Sequence, residues 1–391
     1  MPPKPSRDPD ARSLLEELVG FDTVSSNSNL ALIEFISAYL FRFGIQSTLI
    51  RDETGTKADL FATIGPSDTG GLMLAGHTDV VPVENQDWAT DPFRVDERKG
   101  RLYGRGTCDM KGFIAVVLAA VPELANTRLR RPIHLAFTYD EETGCFGGRA
   151  LARHLERLKI RPLRCVVGEP TGMAVVDGHK GKLSVDCHVR GAEGHSAFID
   201  KGVNAVEIAA EIVAHLRAMQ KNLRREGPFD SRFDPPFTTI HTGQMQGGIA
   251  RNIIPKDCRF EFEIRNLPHQ DPGEILAELR SYISDTLLPE MQAVAPKSGV
   301  EIDIQSDIPA LAPDEENEIL TVALQLTGTN APGRISFATE AGLYQGVGIP
   351  TIVCGPGHIA QAHKPDEFVA LDQIALCRTF LHDIIAANDR A

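Results

Sequence analysis

The chain has 391 residues, of which 42% are hydrophobic and 24% are charged, a composition typical of soluble globular proteins. The 40 Lys and Arg residues against 53 Asp and Glu residues leave a formal net charge of −13. That charge argues against nucleic acid and anionic membranes as main partners, because both reward basic surfaces. The length suggests two domains as a first expectation.

The chain shows no sign of export or membrane insertion. The N-terminal stretch MPPKPSRDPDARSLLEELVGF has no apolar h-region, and no apolar run approaches the roughly 20 residues of a membrane span. The seven cysteines are scattered and form no CxxC pair. An odd, scattered set of cysteines indicates free thiols, so we expect a cytoplasmic protein.

The first 179 or so residues alternate between helical and strand-like patterns. Leu30, Ile33, Ile36 and Leu40 have helical spacing, and Gly44 fits the position just after that helix. Short apolar stretches predict buried strands: STLIRD, DLFATIG, LMLAGHTDVV, IHLAFTYDEE and RCVVGEP. Between them, GFIAVVLAAVPELAN and GGRALARHLERL predict helices. This alternation predicts an α/β domain built on a mostly parallel sheet.

The pattern changes after His179. The stretch KLSVDCHVRG alternates polar and apolar residues, as in a half-exposed strand. A long helix, the strand-like stretches TTIHTGQMQ and DCRFEFEIRN, and the helix PGEILAELRSYISDTLL follow, and the α/β texture returns near residue 294. We therefore predict a discontinuous α/β domain at 1–179 and 294–391, interrupted by a smaller α+β domain at 180–293.

Acids and histidines follow several of the predicted strands. In an open α/β sheet, ligands bind at the carboxyl ends of the strands. His77 and Asp79 follow LML, and their spacing of two puts both side chains on one face of an extended chain. Asp109 lies in the glycine-rich loop YGRGTCDMKG, before a helix. Each residue alone could be structural, since a single strand-end histidine or acid is common.

Three adjacent acids, Asp140, Glu141 and Glu142, end the stretch IHLAFTYDEETG. Adjacent side chains cannot all point the same way, so one could bind a metal while another handles protons. Glu169 ends the strand RCVVGEP, and His363 lies in GHIAQAHKPDEF. Histidines and carboxylates together suit a catalytic site for two divalent metals. The chemistry of such a site includes amide hydrolysis.

Five motifs, in this order and spacing, resemble the co-catalytic zinc aminoacylase/carboxypeptidase superfamily: GHTDVVP, GRGTCDMKG, DEETG, GEPT and AHKPDE. The resemblance covers essentially the whole chain, including the inserted domain. It implies two Zn²⁺ ions, which Co²⁺ or Mn²⁺ could replace, and an N-acyl amino acid as the small-molecule substrate. It also implies that the inserted domain is a lid and dimerisation domain, and hence a homodimer.

The resemblance further implies a role for each motif residue. Asp109 would bridge the two metals, and the peptide bond that follows it would be cis. His77 and Glu169 would bind one zinc, and Glu142 and His363 would bind the other. No metal-binding position departs from the family pattern.

Three further roles follow from the same resemblance. Asp79 would orient His77, and Glu141 would be the general acid and base. His195, in GAEGHSAF, would reach the active site of the partner subunit and stabilise the tetrahedral oxyanion. A structural turn role for His195 is the alternative.

The substrate determinants are less well marked. Asn252 and Arg265 resemble residues that bind the substrate carboxylate, a task that suits Arg, although Arg265 could instead form a salt bridge on a surface strand. Glu340, in SFATEAGLYQ, would lie near the acyl or side-chain pocket, repel a succinyl carboxylate and favour an ornithine ammonium group.

The resemblance implies removal of the acetyl group from N2-acetyl-L-ornithine, a step of arginine biosynthesis, as the expected activity. The alternatives are desuccinylation of N-succinyl-diaminopimelate and broad deacylation of N-acyl amino acids. A binding protein without catalytic activity is the alternative from another class. Loss of Glu141 or of a metal ligand would mark such a protein, and neither is lost.

Overall fold

The computed structural model describes residues 10–159 and 161–390. It divides into two compact units. The first runs up to Gly178 and includes Pro313–Gly333 and the chain from Thr339 onward, and the second consists of His179–Ala312 and Arg334–Ala338.

Within the described residues, both units contain helices and strands, and through most of the first unit the two alternate along the chain. The α-helices are α1 (Ala11–Val19), α2 (Leu30–Phe41), α3 (Lys111–Asn126), α4 (Glu141–Gly144), α5 (Phe146–Glu156), α6 (Ala205–Glu226), α7 (Pro272–Tyr282), α8 (Leu288–Val294), α9 (Glu318–Thr327), α10 (Ala341–Gly346) and α11 (Leu371–Arg390). The strands are β1 (Ser47–Arg51), β2 (Ala58–Ile64), β3 (Leu72–His77), β4 (Asp96–Arg98), β5 (Arg101–Tyr103), β6 (Ile133–Thr138), β7 (Arg164–Pro170), β8 (Val176–His179), β9 (Lys182–Arg190), β10 (Gly194–His195), β11 (Thr239–Gly247), β12 (Ile253–Ile254), β13 (Asp257–Arg265), β14 (Gly299–Ile308), β15 (Gly333–Ile335), β16 (Thr351–Gly355) and β17 (Phe368–Ala370). Short 3₁₀ helices lie at Ile199–Lys201 and Ile359–Gln361, and a π-helical turn lies at Ile283–Leu287.

The first unit is built on a central sheet with strand order β1-β2-β6-β3-β7-β16-β8-β15. Strands β6, β3, β7 and β16 are parallel, whereas β1, β2 and β8 pair antiparallel. The strands β3 and β6 are buried along their whole length, which explains why their sequences are continuous apolar runs rather than alternating ones. The predicted mostly parallel α/β fold is confirmed.

Helix α3 packs very closely against the sheet. Pro122 lies inside this helix, which continues to Asn126. A Cβ atom added at Gly168 of β7 would lie 2.0 Å from the Cγ atom of the Phe113 ring on α3. Only glycine therefore fits at position 168, directly before Glu169.

The second unit holds an antiparallel sheet with strand order β11-β13-β9-β14 and a separate β10-β12 pair. Its own hydrophobic core joins this sheet to helices α6 and α7, through residues such as Ile212, Leu279 and Phe260. Strand β14 pairs with β9 along Gly299–Ile308, so the compact unit continues to Ala312. The predicted boundary at residue 293 lies before β14, whereas the compact unit includes this strand. A role of this unit as lid and dimerisation domain stays a prediction.

All seven cysteines are free and buried. Across residues 10–159 and 161–390, no helix combines the length and the apolarity needed to cross a membrane.

Candidate metal centre

Three neighbouring parallel strands deliver acids and a histidine to one edge of the sheet. His77 is the last residue of β3, Glu169 lies near the end of β7, and Glu141 follows β6. Because β6, β3 and β7 are adjacent and parallel, their carboxyl ends meet at the same edge. The order of the strands thus brings together residues that are far apart in sequence.

Asp109 lies between two histidines. Its Oδ1 atom is 3.0 Å from Nε2 of His77, and its Oδ2 atom is 3.2 Å from Nε2 of His363. Glu169 Oε1 lies 3.7 Å from Nε2 of His77, and Glu142 Oε2 lies 3.1 Å from Nε2 of His363. The five residues predicted as metal ligands therefore converge, with Asp109 in the central position. The peptide bond between Asp109 and Met110 is cis, as expected.

Two groups of side chains offer atoms to a metal ion within 4.8 Å of one another: His77 with Glu141 and Glu169, and His77 with Asp109 and Glu142. Nitrogen and oxygen atoms of this kind suit Zn²⁺ and similar divalent ions. Glu141 belongs to the first group, so the geometry alone is compatible with Glu141 as a ligand or as a proton carrier.

The electrostatics of the cluster also fit a cation. Burial raises the pKa values of Glu142 and Glu169, and it raises the pKa of Glu141 to about 8. Burial works against a charged His77, but hydrogen bonds to Asp109 and Asp79 outweigh it and raise the pKa of His77. Buried carboxylates outnumber the cationic groups here and therefore repel one another. Divalent cations would offset this repulsion.

Asp79 connects His77 to the turn that follows β6. Nδ1 of His77 lies 2.9 Å from the backbone oxygen of Asp79, and a carbonyl only accepts, so Nδ1 carries the proton and Nε2 is free to bind a metal. The Asp79 carboxylate accepts hydrogen bonds from the backbone N–H groups of Glu141 and Glu142, at 3.0 and 3.3 Å. It also accepts one from the Ser25 hydroxyl at 2.7 Å. Asp79 thus contacts His77 through its backbone oxygen and the backbone of both glutamates through its carboxylate.

Asp140 has a separate partner. Its carboxylate lies 2.6 Å from Nζ of Lys57, and Lys57 also donates to the backbone oxygen of Ser25. Asp140 has a φ of +53°, which turns the chain sharply into α4, the single turn that carries Glu141 and Glu142. The ion pair therefore ties this left-handed turn to neighbouring segments of the first unit.

Comparison with known proteins identifies the family. The family model for peptidase family M20/M25/M40 matches residues 73–387. The chain belongs to this family.

Among its relatives, an acetylornithine deacetylase of Proteus mirabilis is 36% identical over 365 residues, covering 93% of this chain and 91% of the relative. An M20 metallo-carboxypeptidase of Sulfolobus solfataricus shares the fold with a TM-score of 0.78 at 17% identity, covering 98% of this chain and 100% of the other. A dinuclear metal-binding M20 peptidase of Bacillus subtilis superimposes with a TM-score of 0.65 at 12% identity, over 97% and 98% of the two chains. This M20-family chain is accordingly a metal-dependent hydrolase that acts on amide bonds.

The second unit of this M20-family chain holds three of the predicted site residues. His195 pairs with Ile253 across the β10-β12 ladder, is exposed, and accepts a hydrogen bond from the backbone N–H of Ala197 at 3.0 Å. Asn252 is exposed, and its carbonyl accepts a bond from the N–H of Ser196 at 3.2 Å. His195 and Asn252 thus lie on neighbouring segments.

Arg265 ends β13, on the other sheet of the second unit, where its Nε donates to Glu263 at 2.7 Å. This contact is the strand salt bridge named as the alternative for Arg265. A role in carboxylate binding stays a prediction.

Glu340 is more deeply buried than its predicted role requires. The side chain is 1% exposed, and its Oε2 accepts a hydrogen bond from the Tyr344 hydroxyl at 3.0 Å. Burial raises its pKa to about 7. A Cβ atom added at Gly148 would lie 2.4 Å from Glu340 Oε1, so α5 also packs closely over the carboxylate. The predicted contact with a substrate ammonium group gains no support from this position.

Several residues that support the centre were not assigned from sequence. Ser25 and Lys57 lie outside the five motifs and show no recognisable pattern. Arg105 and Glu367 do lie within the motifs GRGTCDMKG and AHKPDE, and that placement was the available signal.

Proposed function

We propose that the chain hydrolyses N2-acetyl-L-ornithine to ornithine and acetate, a step of arginine biosynthesis, with two Zn²⁺ ions. The observation that carries the proposal is the convergence of His77, Asp109, Glu142, Glu169 and His363 around one central carboxylate. The 36% identity to a relative named acetylornithine deacetylase supports the choice of substrate. The net charge of −13 would also attract a substrate that carries a side-chain ammonium group.

The proposed ligand sets share Asp109. His77 and Glu169 would hold one ion, and Glu142 and His363 would hold the other. When bound, such cations supply positive charge that polarises an amide carbonyl and makes water a better nucleophile. Co²⁺ or Mn²⁺ could occupy the same nitrogen and oxygen ligands.

Glu141 is the proposed proton carrier. It takes a proton from the attacking water as the new C–O bond forms, and returns it to the leaving amine as the C–N bond breaks. Its buried position favours the protonated form, and positive charge near His77 and Glu169 would restore the carboxylate that a base requires. The Asp79 carboxylate fixes the start of the turn that aims Glu141.

The second unit would complete the site. We propose that His195 acts in the partner subunit of a homodimer, where a hydrogen-bond donor would stabilise the oxyanion. Its exposure in a single chain is compatible with this role. Asn252 and Arg265 remain proposed carboxylate binders, and Arg265 would have to leave Glu263 to do so.

A substrate panel tests the proposal. Purified zinc-loaded protein would be assayed on N2-acetyl-L-ornithine, N-succinyl-diaminopimelate, other N-acetyl amino acids and dipeptides, with Glu141→Gln as the matched inactive control. We expect the highest kcat/KM for N2-acetyl-L-ornithine. Faster cleavage of N-succinyl-diaminopimelate would refute this choice, and equal rates on all acetyl amino acids would indicate a broad deacylase. No hydrolysis with both ions bound would indicate a binding protein.

A further inference from the structure

A buried carboxylate behind the metal centre holds the backbone of the Asp109 loop. Glu367 is 1% exposed, and its Oε1 atom accepts hydrogen bonds from the backbone N–H groups of Cys108 and Asp109, at 2.9 and 3.0 Å. Its backbone oxygen also accepts a bond from the N–H of Gly104 at 2.9 Å. Glu367 is therefore bonded directly to the residue that we propose as the bridging ligand.

Arg105 balances the charge of Glu367. The guanidinium is also 1% exposed, and its Nη1 donates to Glu367 Oε2 at 2.6 Å. It donates further to the backbone oxygens of Lys364 and Pro82, at 3.4 and 3.3 Å. Its Nη2 donates to Oε1 of Gln86 at 2.6 Å. A buried ion pair with these additional bonds links three separate loops of the first unit.

Gln86 continues the chain of contacts to the second histidine. Its Oε1 atom accepts bonds from Arg105 and from Nε1 of Trp88, at 2.6 and 3.1 Å. Arg and Trp side chains only donate, so both contacts fix this atom as the oxygen. The amide nitrogen of Gln86 then faces the backbone oxygen of His363 and donates to it at 3.3 Å.

His363 needs such support more than the other proposed ligands do. Its side chain is 52% exposed, and its backbone has a φ of +61°, a left-handed conformation that is uncommon for residues with side chains. It lies on a loop, whereas His77 belongs to a buried strand. Bonds from other segments, to its imidazole and to its backbone oxygen, hold this residue in place.

We propose that Glu367, Arg105 and Gln86 form a positioning bridge that holds Asp109 and His363 at the separation needed for the second metal ion. The inference rests on the proposed metal centre, and none of the three residues is a proposed metal ligand or substrate binder. Groups that orient metal ligands from outside are commonly worth 10–100-fold in metal affinity. The Gln86 contact, which ends at His363, should therefore matter for the ion held by Glu142 and His363, and little for the ion held by His77 and Glu169.

Stepwise titration with Co²⁺ tests the bridge, because its visible absorption reports each bound ion separately. We would compare the wild-type chain with Gln86→Ala, which removes both the acceptor and the donor of the amide, and with Gln86→Glu. The glutamate can still accept from Arg105 but cannot donate to His363. Glu84→Ala is the matched control, because within residues 10–159 and 161–390 the side chain of this exposed neighbour bonds only to the N–H of Val83 on its own loop.

We expect both Gln86 variants to weaken binding of one Co²⁺ ion by about 10-fold or more and to change its absorption spectrum. The other ion and the thermal midpoint of the apoprotein should stay as in the wild type, and Glu84→Ala should bind both ions normally. Wild-type affinity in Gln86→Ala, or in Gln86→Glu alone, would overturn the bridge. Equal weakening of both ions with a lower thermal midpoint would also overturn it, because that result indicates a purely structural role.

A second pair of variants examines the other end of the bridge. Arg105→Lys keeps the charge beside Glu367 but cannot reach all its partners, and should weaken the same single ion. Glu367→Gln acts on Asp109, which both proposed ligand sets share, and should weaken both ions; normal binding of two ions by a folded Glu367→Gln protein would contradict the proposal. The readout is metal binding and not hydrolysis. A wild-type chain that binds both ions but cleaves no acyl amino acid would refute the proposed function and leave the bridge standing, whereas a wild-type chain that cannot bind two ions would refute both.

Discussion

His77 and Glu169 come from neighbouring buried strands, β3 and β7, whereas Glu142 and His363 come from a single helical turn and a loop. The first pair is positioned by the hydrophobic core of the sheet. The second pair is positioned by hydrogen bonds and ion pairs from other loops. The two halves of one metal centre therefore depend on different kinds of interaction, and they should respond differently to mutation.

The largest expected effect concerns Glu141, the proposed proton carrier. Glu141→Gln should lower kcat by about 10²- to 10⁴-fold, because a general acid and base contributes that much. Metal content should remain at two ions per chain, measured by elemental analysis after dialysis. Loss of an ion in Glu141→Gln would instead make Glu141 a ligand, as the geometry also permits.

The next effect separates the halves directly. His363→Ala should release one ion and leave the other, with the folded state unchanged, because its side chain is half exposed. His77→Ala should disturb both ions, since His77 contacts Asp109 and lies close to Glu169, and should also lower the thermal midpoint because the site is fully buried. Two retained ions in His363→Ala would refute the division into halves.

A smaller effect is expected at Lys57. The side chains of Lys57 and Asp140 are each 15% exposed, so loss of the cation would leave a largely buried, unpaired carboxylate in the turn before Glu141 and Glu142. Lys57→Met should lower kcat by about 10-fold. Lys57→Arg, the matched control, keeps the charge and should lose less. Unchanged kcat in Lys57→Met would show that the turn holds its shape without the ion pair.

The smallest effect concerns Glu340 and is a change in how the stability of the folded protein depends on pH. The pKa of Glu340 is raised to about 7 in the folded state, so the folded protein holds this proton more tightly than the unfolded chain. The stabilisation that this proton gives the folded state is fully present at low pH, and it is lost as the pH rises from about 4.5 through about 7. Glu340→Gln cannot ionise, and should therefore raise the thermal midpoint at pH 8 but not at pH 4.

The gain at pH 8 should correspond to at most about 3 kcal/mol, the upper limit set by such a shift. Tyr344→Phe is a useful comparison, since it removes only the hydrogen bond to Glu340. Equal gains in Glu340→Gln at pH 4 and pH 8 would show that ionisation of Glu340 is not the cause.

The half of the metal centre formed by His77 and Glu169 was also the easier half to predict from sequence. Continuous apolar runs identify buried parallel strands, and their ends place His77 and Glu169 at one edge of a sheet. The partner of Asp140 could not be predicted, because Lys57 lies 83 residues away and carries no local pattern. The burial of Glu340 was missed for a related reason. A sequence shows that a residue is acidic, but depth depends on which helices pack over it.

The close approach of α3 to β7 has a consequence for mutational scanning. Any side chain at Gly168 would collide with the Phe113 ring and push apart the two elements that set the position of Glu169. A scan scored by activity would therefore rank Gly168 beside the metal ligands, although glycine has no group that reacts or binds. Libraries that aim to change the substrate should leave this position fixed, and a scan that also measures protein abundance would separate it from the residues that do chemistry.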